Sequence, residues 1–177
     1  MRGYFGIGVE GVSKPMNVGS LYRTAHAFGA SYVFAIAPAI NVQEIYQSDT
    51  SKTAHQIPLF VYDNVEALKL PKGCTLVGVE ILDEAIELPS FNHPPQAAYV
   101  FGPERGTLSP SLINRCSLLI KIPTKFSINV GLAGAIVMYD RSVARGRFGD
   151  RPQHVGGKVV GLKPHVHGPQ KVRSKRK

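Results

Sequence analysis

Apolar residues along the chain form short, nearly continuous runs that alternate with segments of helical periodicity. The continuous runs predict strands at 3–10, 31–38, 57–63, 74–81, 97–102 and 116–123. Strands buried on both faces show this pattern, because neither face alternates with polar residues. Helical spacing predicts helices at 17–29, 64–71 and 129–147, with one or two helical turns at 110–115. The alternation predicts an α/β fold in which a parallel sheet is covered on both faces.

The predicted helix at 17–29, NVGSLYRTAHAFG, carries an apolar stripe and one isolated charge. At 3.6 residues per turn the stripe is formed by Val18, Leu21, Tyr22, Ala25 and Phe28. Arg23 projects from the opposite side, among small residues. Solvated surface helices usually carry several charges on their outer face, so the isolated arginine is a candidate functional residue.

A second candidate segment is YVFGPERGTLSP at 99–110, where a buried strand runs into a turn rich in glycine and proline. Ligands in parallel sheets bind beyond the carboxyl ends of the strands, and Gly102 would let the backbone approach one closely. Glu104 and Arg105 are candidate site residues, with exposed loop charges as the alternative. A dinucleotide fingerprint and a phosphate-binding P-loop are both absent from the sequence, which disfavours a nicotinamide enzyme or an NTPase.

The third segment, IKIPTKFSINVGLAGAIVMYD at 120–140, joins a strand to the long predicted helix. Ser127 and Asn129 lie where an N-cap residue is expected, so capping is the structural alternative to a functional role for both. The run of small residues at 131–135 requires close packing against a neighbouring helix, another subunit or a ligand.

Charge is divided unevenly along the 177 residues, whose net charge is +9. Residues 1–140 hold ten Lys or Arg and eleven Asp or Glu, whereas residues 141–177 hold eleven Lys or Arg and one Asp. We expect a domain at 1–147 and a basic, flexible extension at 148–177. Such an extension gains free energy by releasing counterions from a nucleic acid, although a solubilising tail is the alternative.

The cysteines, the apolar runs and the histidines lead us to expect a cytoplasmic protein that binds no metal. Cys74 and Cys116 lie in or beside apolar runs, which indicates free thiols in a reducing compartment, with a disulfide as the alternative. The first residues lack the apolar core of a signal peptide, and the longest apolar run is about half of what spans a bilayer. The length of that run leads us to expect no membrane partner. The six histidines show no metal-ligand spacing, so we expect no metal.

Taken together, three motifs occur in an order that is specific where each alone is weak. They are N-x-G-x-x-x-R-x-A-x-x-F-G at 17–29, F-G-P-E-R-G at 101–106 and I-P-x-x-x-S-I-N-V at 122–130. Residues 1–145 resemble the SpoU/TrmH branch of the SPOUT superfamily, the S-adenosylmethionine-dependent ribose 2′-O-methyltransferases of tRNA and rRNA. The resemblance implies a parallel-sheet α/β fold with a C-terminal trefoil knot. It also implies a homodimer whose active site lies close to the subunit interface.

The resemblance also implies roles for individual residues. The methyl donor, S-adenosylmethionine, would be bound by Val79, Glu80, Gly102, Ile122, Ile128 and Asn129. The catalytic and substrate-orienting set would be Asn17, Arg23, Glu104, Ser127 and Asn129. Arginine is a poor base at neutral pH. We therefore expect Arg23 to stay cationic, bind the nucleotide phosphate and acidify the 2′-hydroxyl.

The sequence departs from the family pattern at two places, and it leaves two alternative functions open. The third motif usually reads S-L-N-V-S, but Gly131 takes its last place, and only three residues separate Pro123 from Ser127. One alternative function is a non-catalytic RNA-binding or ribosome-assembly protein on the same fold, which would not need the catalytic set. The other is base methylation by a different knotted methyltransferase, whose branches carry different motifs.

Overall fold

The structure, a computed structural model, describes residues 3–41, 43–45, 56–146, 148 and 155–157. The chain divides into two units, Met1–Gly146 and Arg147–Lys177. The strands, helices and cavity described below belong to the first unit. The predicted flexible extension at 148–177 lies almost entirely outside the described residues.

Seven strands form the sheet. All of them are parallel, and the central strands are buried on both faces, as the apolar runs predict. The seven strands are β1 (Tyr4–Glu10), β2 (Tyr32–Ile36), β3 (Leu59–Tyr62), β4 (Thr75–Val79), β5 (Ile86–Glu87), β6 (Gln96–Phe101) and β7 (Leu118–Lys121). Their order across the sheet is β3-β2-β1-β6-β4-β7-β5, and every pairing is parallel. The strand β5 was not predicted, because two residues are too few to produce a recognisable pattern.

Within the described residues the sheet is covered by α1 (Pro15–Ala27), α2 (Pro110–Arg115) and α3 (Val130–Arg145), and residues 43–45 are helical as well. A short 3-10 helix spans Leu88–Ser90. One apolar core packs α1 and α3 against one face, and a second packs α2 against the other, so the prediction of a sheet covered on both faces is confirmed. The helix α1 begins at Pro15, two residues before its predicted start, because proline is favoured in the first turn.

The predicted helix at 64–71 is wrong, since the chain forms only a turn there. The Asn64 side chain accepts a hydrogen bond from the Ala67 N–H, which closes one turn. The Val65 carbonyl accepts from the Leu68 N–H at 3.2 Å and from the Arg115 guanidinium, which also donates to the Leu68 carbonyl. A distant side chain therefore ends the helical hydrogen-bonding pattern that the local spacing suggested.

Small residues in α3 let this helix pack closely on α1. A Cβ added to Gly134 would lie 2.1 Å from Leu21 Cδ1, and one added to Gly131 would lie 2.8 Å from Ser20 Oγ. Both distances are too short for real contacts, so neither position accepts a larger residue without movement. Of the three partners that the small residues allowed, a neighbouring helix is the one observed.

A buried polar cluster fixes α3 to the amino ends of the central strands. Arg141 is 1% exposed and donates hydrogen bonds to the carbonyls of Tyr4, Pro94 and Pro95 and to the Tyr99 hydroxyl. His93, also 1% exposed, lies between the Tyr99 hydroxyl and a carboxylate of α3. The cluster lies at the end of the sheet opposite to the carboxyl ends of the strands.

Candidate active site

A cavity of about 520 Å³ opens at the carboxyl ends of β4, β6 and β7. The first residues of α1 and α3 close its side, so all three sequence motifs contribute to it. Its volume falls within the range of sites for small molecules. It is lined by Lys14, Met16, Asn17, Val79, Glu80, Ile81, Phe101, Gly102, Pro103, Glu104, Gly106, Ile122, Thr124, Ser127, Ile128, Asn129, Val130 and Ala133.

Hydrogen bonds link the three motifs along the edge of this cavity. Asn17 is 8% exposed, and its Nδ2 donates to Glu104 Oε1 at 2.8 Å. The Oδ1 of Asn17 accepts from Asn129 Nδ2 at 2.9 Å. Glu104 also accepts from the Ser13 N–H, the Ser13 hydroxyl and the Lys14 N–H at 3.1–3.2 Å. One carboxylate thereby fixes the segment before α1, and one asparagine connects it to the start of α3.

The carboxylate of Glu104 is held in its charged form. Burial acts to raise its pKa, but the hydrogen bonds from Asn17 and Ser13 outweigh that effect and hold the pKa below its usual value. Four donors occupy its two oxygens. Glu104 is therefore poorly suited to accept a proton and well suited to hold Asn17 in place.

Asn129, not Ser127, caps helix α3. Its Oδ1 accepts a hydrogen bond from the Gly131 N–H at 2.9 Å, while its Nδ2 donates to Asn17. Both amide atoms are thus assigned by their partners, and the capping alternative is confirmed for Asn129. Asn129 therefore both caps α3 and holds the side chain of Asn17 at the edge of the cavity. Ser127 lines the cavity.

The residues expected to bind the donor all line the cavity. Val79, Ile122 and Ile128 supply apolar surface, and Gly102 brings the backbone of the β6–α2 loop against it. A Cβ on Gly102 would lie 3.0 Å from the Leu108 N atom, so this loop is folded tightly on itself. Glu80 holds the same loop, because its carboxylate accepts a hydrogen bond from the Leu108 N–H at 2.8 Å. The other carboxylate oxygen accepts from the N–H of the next residue, Ile81, at 2.9 Å.

The candidate Arg105 lies outside the cavity lining, and so does Arg23, the one residue of the predicted catalytic and donor-binding sets that is missing from it. Arg23 lies on the exposed face of α1. It follows Asn17 by six positions, which is about 9 Å along a helix axis. A single chain therefore does not bring Arg23 into the cavity, and its catalytic role stays a prediction.

The sequence prediction missed Lys14 and Met16, which line the cavity, and Ser13, which donates hydrogen bonds to Glu104 beside it. The start of α1 was placed at 17, so these residues were assigned to a loop. Pro15 was the available signal, because proline just inside a helix start would have moved the predicted start two residues back.

The described residues contain no group of three or more His, Cys, Asp or Glu side chains able to hold a metal ion. Both cysteines are free. Burial raises the pKa of the Cys116 thiol to about 11, which makes it a weak nucleophile. In the same part of the chain, every helix is too short or too polar to cross a bilayer.

The part of the chain that forms this cavity matches a known protein family. The sequence model of the SpoU rRNA Methylase family matches residues 5–139, which include all three motifs. The chain belongs to the SpoU rRNA methylase family. The predicted family relationship is thus confirmed, and it covers every strand and most of α3.

Two curated relatives and one solved structure show the extent of the likeness to the SpoU family. The tRNA (guanosine(18)-2′-O)-methyltransferase of Thermus thermophilus is 27% identical over 154 residues, covering 82% of this chain and 78% of that protein. The mouse tRNA (guanosine(18)-2′-O)-methyltransferase TARBP1 is 27% identical over 138 residues, covering 73% of this chain but only 9% of the mouse protein.

The solved structure is an AdoMet-bound rRNA methyltransferase from Sinorhizobium meliloti. It superposes with a TM-score of 0.71 at 20% identity, over 82% of this chain and 58% of that one. Identity at this level shows a shared fold. The parallel α/β architecture is therefore that of SpoU methyltransferases.

Proposed function

We propose that this protein transfers a methyl group from S-adenosylmethionine to a ribose 2′-hydroxyl of tRNA or rRNA. The observation that carries the proposal is the hydrogen-bonded chain from Glu104 through Asn17 to Asn129 at the edge of the cavity. It unites residues from three separate motifs in one rigid arrangement. Family membership and relatives named as tRNA 2′-O-methyltransferases support the same activity.

The cavity fits the proposed donor. Its volume and apolar lining suit a nucleoside-sized molecule, and the tight loop at Gly102 offers backbone groups to polar atoms. Val79, Gly102, Ile122 and Ile128 would hold the donor, with Glu80 fixing the loop that covers it. When bound, S-adenosylmethionine supplies a methyl group on a positively charged sulfur, which is already a good leaving group.

The residues of the chain then have to align the ribose oxygen with that methyl group. Positioning of this kind lowers a barrier by several kcal/mol, about 7–11 in the best intramolecular cases. Asn129 and Ser127 line the cavity and would orient the 2′-hydroxyl, while Glu104 holds Asn17 and Asn129 in register. Because the oxygens of Glu104 are already occupied, we assign the departing proton to a phosphate oxygen or to water.

We further propose that the active unit is a homodimer formed on the exposed face of α1 and α3. Four apolar residues of α3 are exposed at helical spacing: Leu132 at 62%, Ile136 at 40%, Tyr139 at 58% and Val143 at 40%. Contiguous exposed apolar surface of this kind marks an interaction site. Arg23 lies on the exposed face of the adjacent α1, so in such a dimer it would reach the cavity of the partner subunit.

A trefoil knot is also part of the proposal. The strand β7 pairs with β4 on one side and with β5 on the other. The segment that joins β4 to β6 by way of β5 therefore lies around β7, and α3 follows β7 back to α1. This arrangement supports passage of the C-terminal part through that segment, as the family resemblance implies.

We propose that the basic extension at 148–177 binds RNA. We also propose that the protein works in the cytoplasm. Eight Lys or Arg and one Asp occur at 148–177, and the free cysteines suit a reducing compartment. Replacing the five basic residues at 171–177 with glutamine in the full chain should weaken RNA binding and flatten its salt dependence. Donor affinity should not change.

One experiment separates the proposed function from its two alternatives. The purified protein is incubated with radiolabelled S-adenosylmethionine and total RNA from a strain lacking the gene, and the RNA is digested to nucleosides for mass spectrometry. We expect 2′-O-methylated nucleosides. Label on a base would indicate the other knotted methyltransferases, and RNA binding without label would indicate a non-catalytic protein. The Gly102→Val variant, with its loop disrupted, is the inactive control.

A further inference from the structure

Lys14 occupies a position at which lysine does not help its helix. It is the N-cap residue of α1, where Ser, Thr, Asp or Asn is preferred and where a positive charge opposes the helix dipole. Its side chain makes no capping hydrogen bond, and its backbone N–H is satisfied by Glu104 at 3.2 Å. Local stability therefore does not explain a lysine here, and such departures occur at functional sites.

Charge around the cavity leaves the Lys14 ammonium available to a ligand. Of the described residues that line the cavity, Lys14 is the only Lys or Arg, and the acidic residues are Glu80 and Glu104. Both carboxylates are already engaged by hydrogen bonds from neighbouring groups. Among the residues the structure describes, none forms a hydrogen bond or ion pair with the Lys14 side chain.

The chemistry of RNA brings an anion to this place. The 2′-hydroxyl of a ribose is attached to the carbon next to the one that carries the 3′-phosphate. Any pose that presents this hydroxyl to the cavity therefore also brings the phosphate to its mouth. An exposed ammonium on a flexible stem is well suited to pair with that phosphate as a point charge.

We propose that Lys14 binds the backbone phosphate adjacent to the target ribose and so positions the 2′-hydroxyl in the cavity. This inference rests on the proposed function, and it adds a binding residue from the same chain to those that the three motifs supply. The methyl donor also carries an anion, its carboxylate. The test must therefore distinguish RNA phosphate from donor carboxylate.

The test compares Lys14→Ala and Lys14→Arg with the wild-type protein and with Lys72→Ala. Lys72 is an exposed lysine before β4, at the opposite end of the sheet, so its removal controls for a change in net charge. Methyl transfer to total RNA is measured at several salt concentrations, and S-adenosylmethionine binding is measured by calorimetry. Thermal unfolding of each variant is recorded alongside.

For Lys14→Ala we expect the KM for RNA to rise about tenfold, as for loss of one charged hydrogen bond. The salt dependence should lose about one phosphate contact, a change in slope of about 0.7–0.9. Donor affinity and the unfolding midpoint should match the wild type, and Lys14→Arg should restore most of the KM. Lys72→Ala should behave as wild type.

Three outcomes would overturn the assignment. Weaker donor binding with an unchanged KM for RNA would assign Lys14 to the donor carboxylate. Unchanged values for both ligands would make Lys14 an ordinary surface residue, and a lowered unfolding midpoint without rescue by arginine would make its role structural. If the wild-type protein itself transfers no methyl group to RNA, the proposed function fails first, and this case is distinguishable from the other three.

Discussion

Asn17 Nδ2 donates a hydrogen bond to Glu104 Oε1 at 2.8 Å, across 87 residues of sequence. The same asparagine accepts one from Asn129, which caps α3. Because an amide can satisfy both partners in only one orientation, Glu104 determines which atom of Asn17 faces Asn129. The alignment of the cavity edge thus depends on a carboxylate that need not touch the substrate.

Replacing Glu104 with glutamine should damage both the fold and the activity. The glutamine amide would point an N–H₂ group toward donors that now meet a carboxylate. We expect the free energy of unfolding to fall by about 1–3 kcal/mol at pH 7, and kcat by roughly tenfold or more because the aligned edge is lost. Denaturant unfolding and single-turnover methyl transfer measure the two effects. Ser13→Ala, which removes one donor only, is the milder matched variant.

The same variant has a signature in acid. The pKa of Glu104 is lowered in the folded protein from an ordinary value of 4.5. Its stabilising contribution is therefore fully present above about pH 4.5 and is lost as pH falls through the lower folded pKa. As pH falls below 5, the free energy of unfolding of Glu104→Gln should decline less than that of the wild type. Parallel curves for the two proteins would show that folding does not lower the pKa of Glu104.

Arg23 is expected to act on the cavity of a partner subunit. Arg23→Ala and Gly102→Val should each be nearly inactive, since one lacks the arginine and the other lacks a formed cavity. Mixed by refolding or coexpression, the two should form heterodimers with one complete site, and activity should return to roughly a quarter of wild type. Methyl transfer by the mixture measures this. Failure to recover any activity, with heterodimers present, would place Arg23 at the cavity of its own chain.

The sequence predicts the large elements of this fold because their apolar patterns are long. The four-residue to seven-residue strands and the two long helices are of this kind. It does not predict the turn at 64–71, because the hydrogen bonds that end it come from Arg115. Local spacing contains no information about that distant guanidinium.

The candidate site is predictable to a similar degree, and for similar reasons. Motif order identifies Asn17, Glu104 and Asn129, and their proximity follows from the parallel topology. Motifs do not reveal that Arg23 lies outside the cavity lining of its own chain, since that depends on how α1 lies on the sheet. Lys14 was missed because its role depends on where α1 begins, and helix boundaries are the least certain part of a pattern.

The contact between Gly131 and Ser20 should control how closely α3 approaches α1. Gly131→Ala would place a Cβ 2.8 Å from Ser20 Oγ and 3.2 Å from Asn129 Oδ1. We expect a loss of about 1–3 kcal/mol in the free energy of unfolding, and weaker donor binding because the Asn129 cap must shift. Combined with Ser20→Ala, the loss should shrink by about 1 kcal/mol. A denaturant-based double-mutant cycle measures this coupling, and strictly additive effects would contradict it.

His93 should make the protein less stable in mild acid. It is 1% exposed, with Nδ1 2.6 Å from the Tyr99 hydroxyl and Nε2 2.8 Å from Asp140 Oδ2. Burial lowers its pKa from the ordinary 6.5, and the charges of Arg141 and Arg145 act in the same direction, whereas Asp140 opposes them. The neutral ring therefore accepts from Tyr99 and donates to Asp140.

Because the folded pKa of His93 lies below the unfolded one, the unfolded chain binds a proton first as pH falls. Stability is therefore full above about pH 6.5 and declines as pH falls from there toward the folded pKa. His93→Gln can keep a donor and an acceptor at this place but cannot titrate, so its urea-unfolding free energy should stay flatter between pH 7.5 and 5.5. A wild-type protein that gains stability relative to the variant as pH falls would mean that folding raises the pKa of His93. A variant with the same slope would mean that folding leaves this pKa unchanged. The same variant should retain donor affinity, since the cluster lies at the end of the sheet opposite to the cavity.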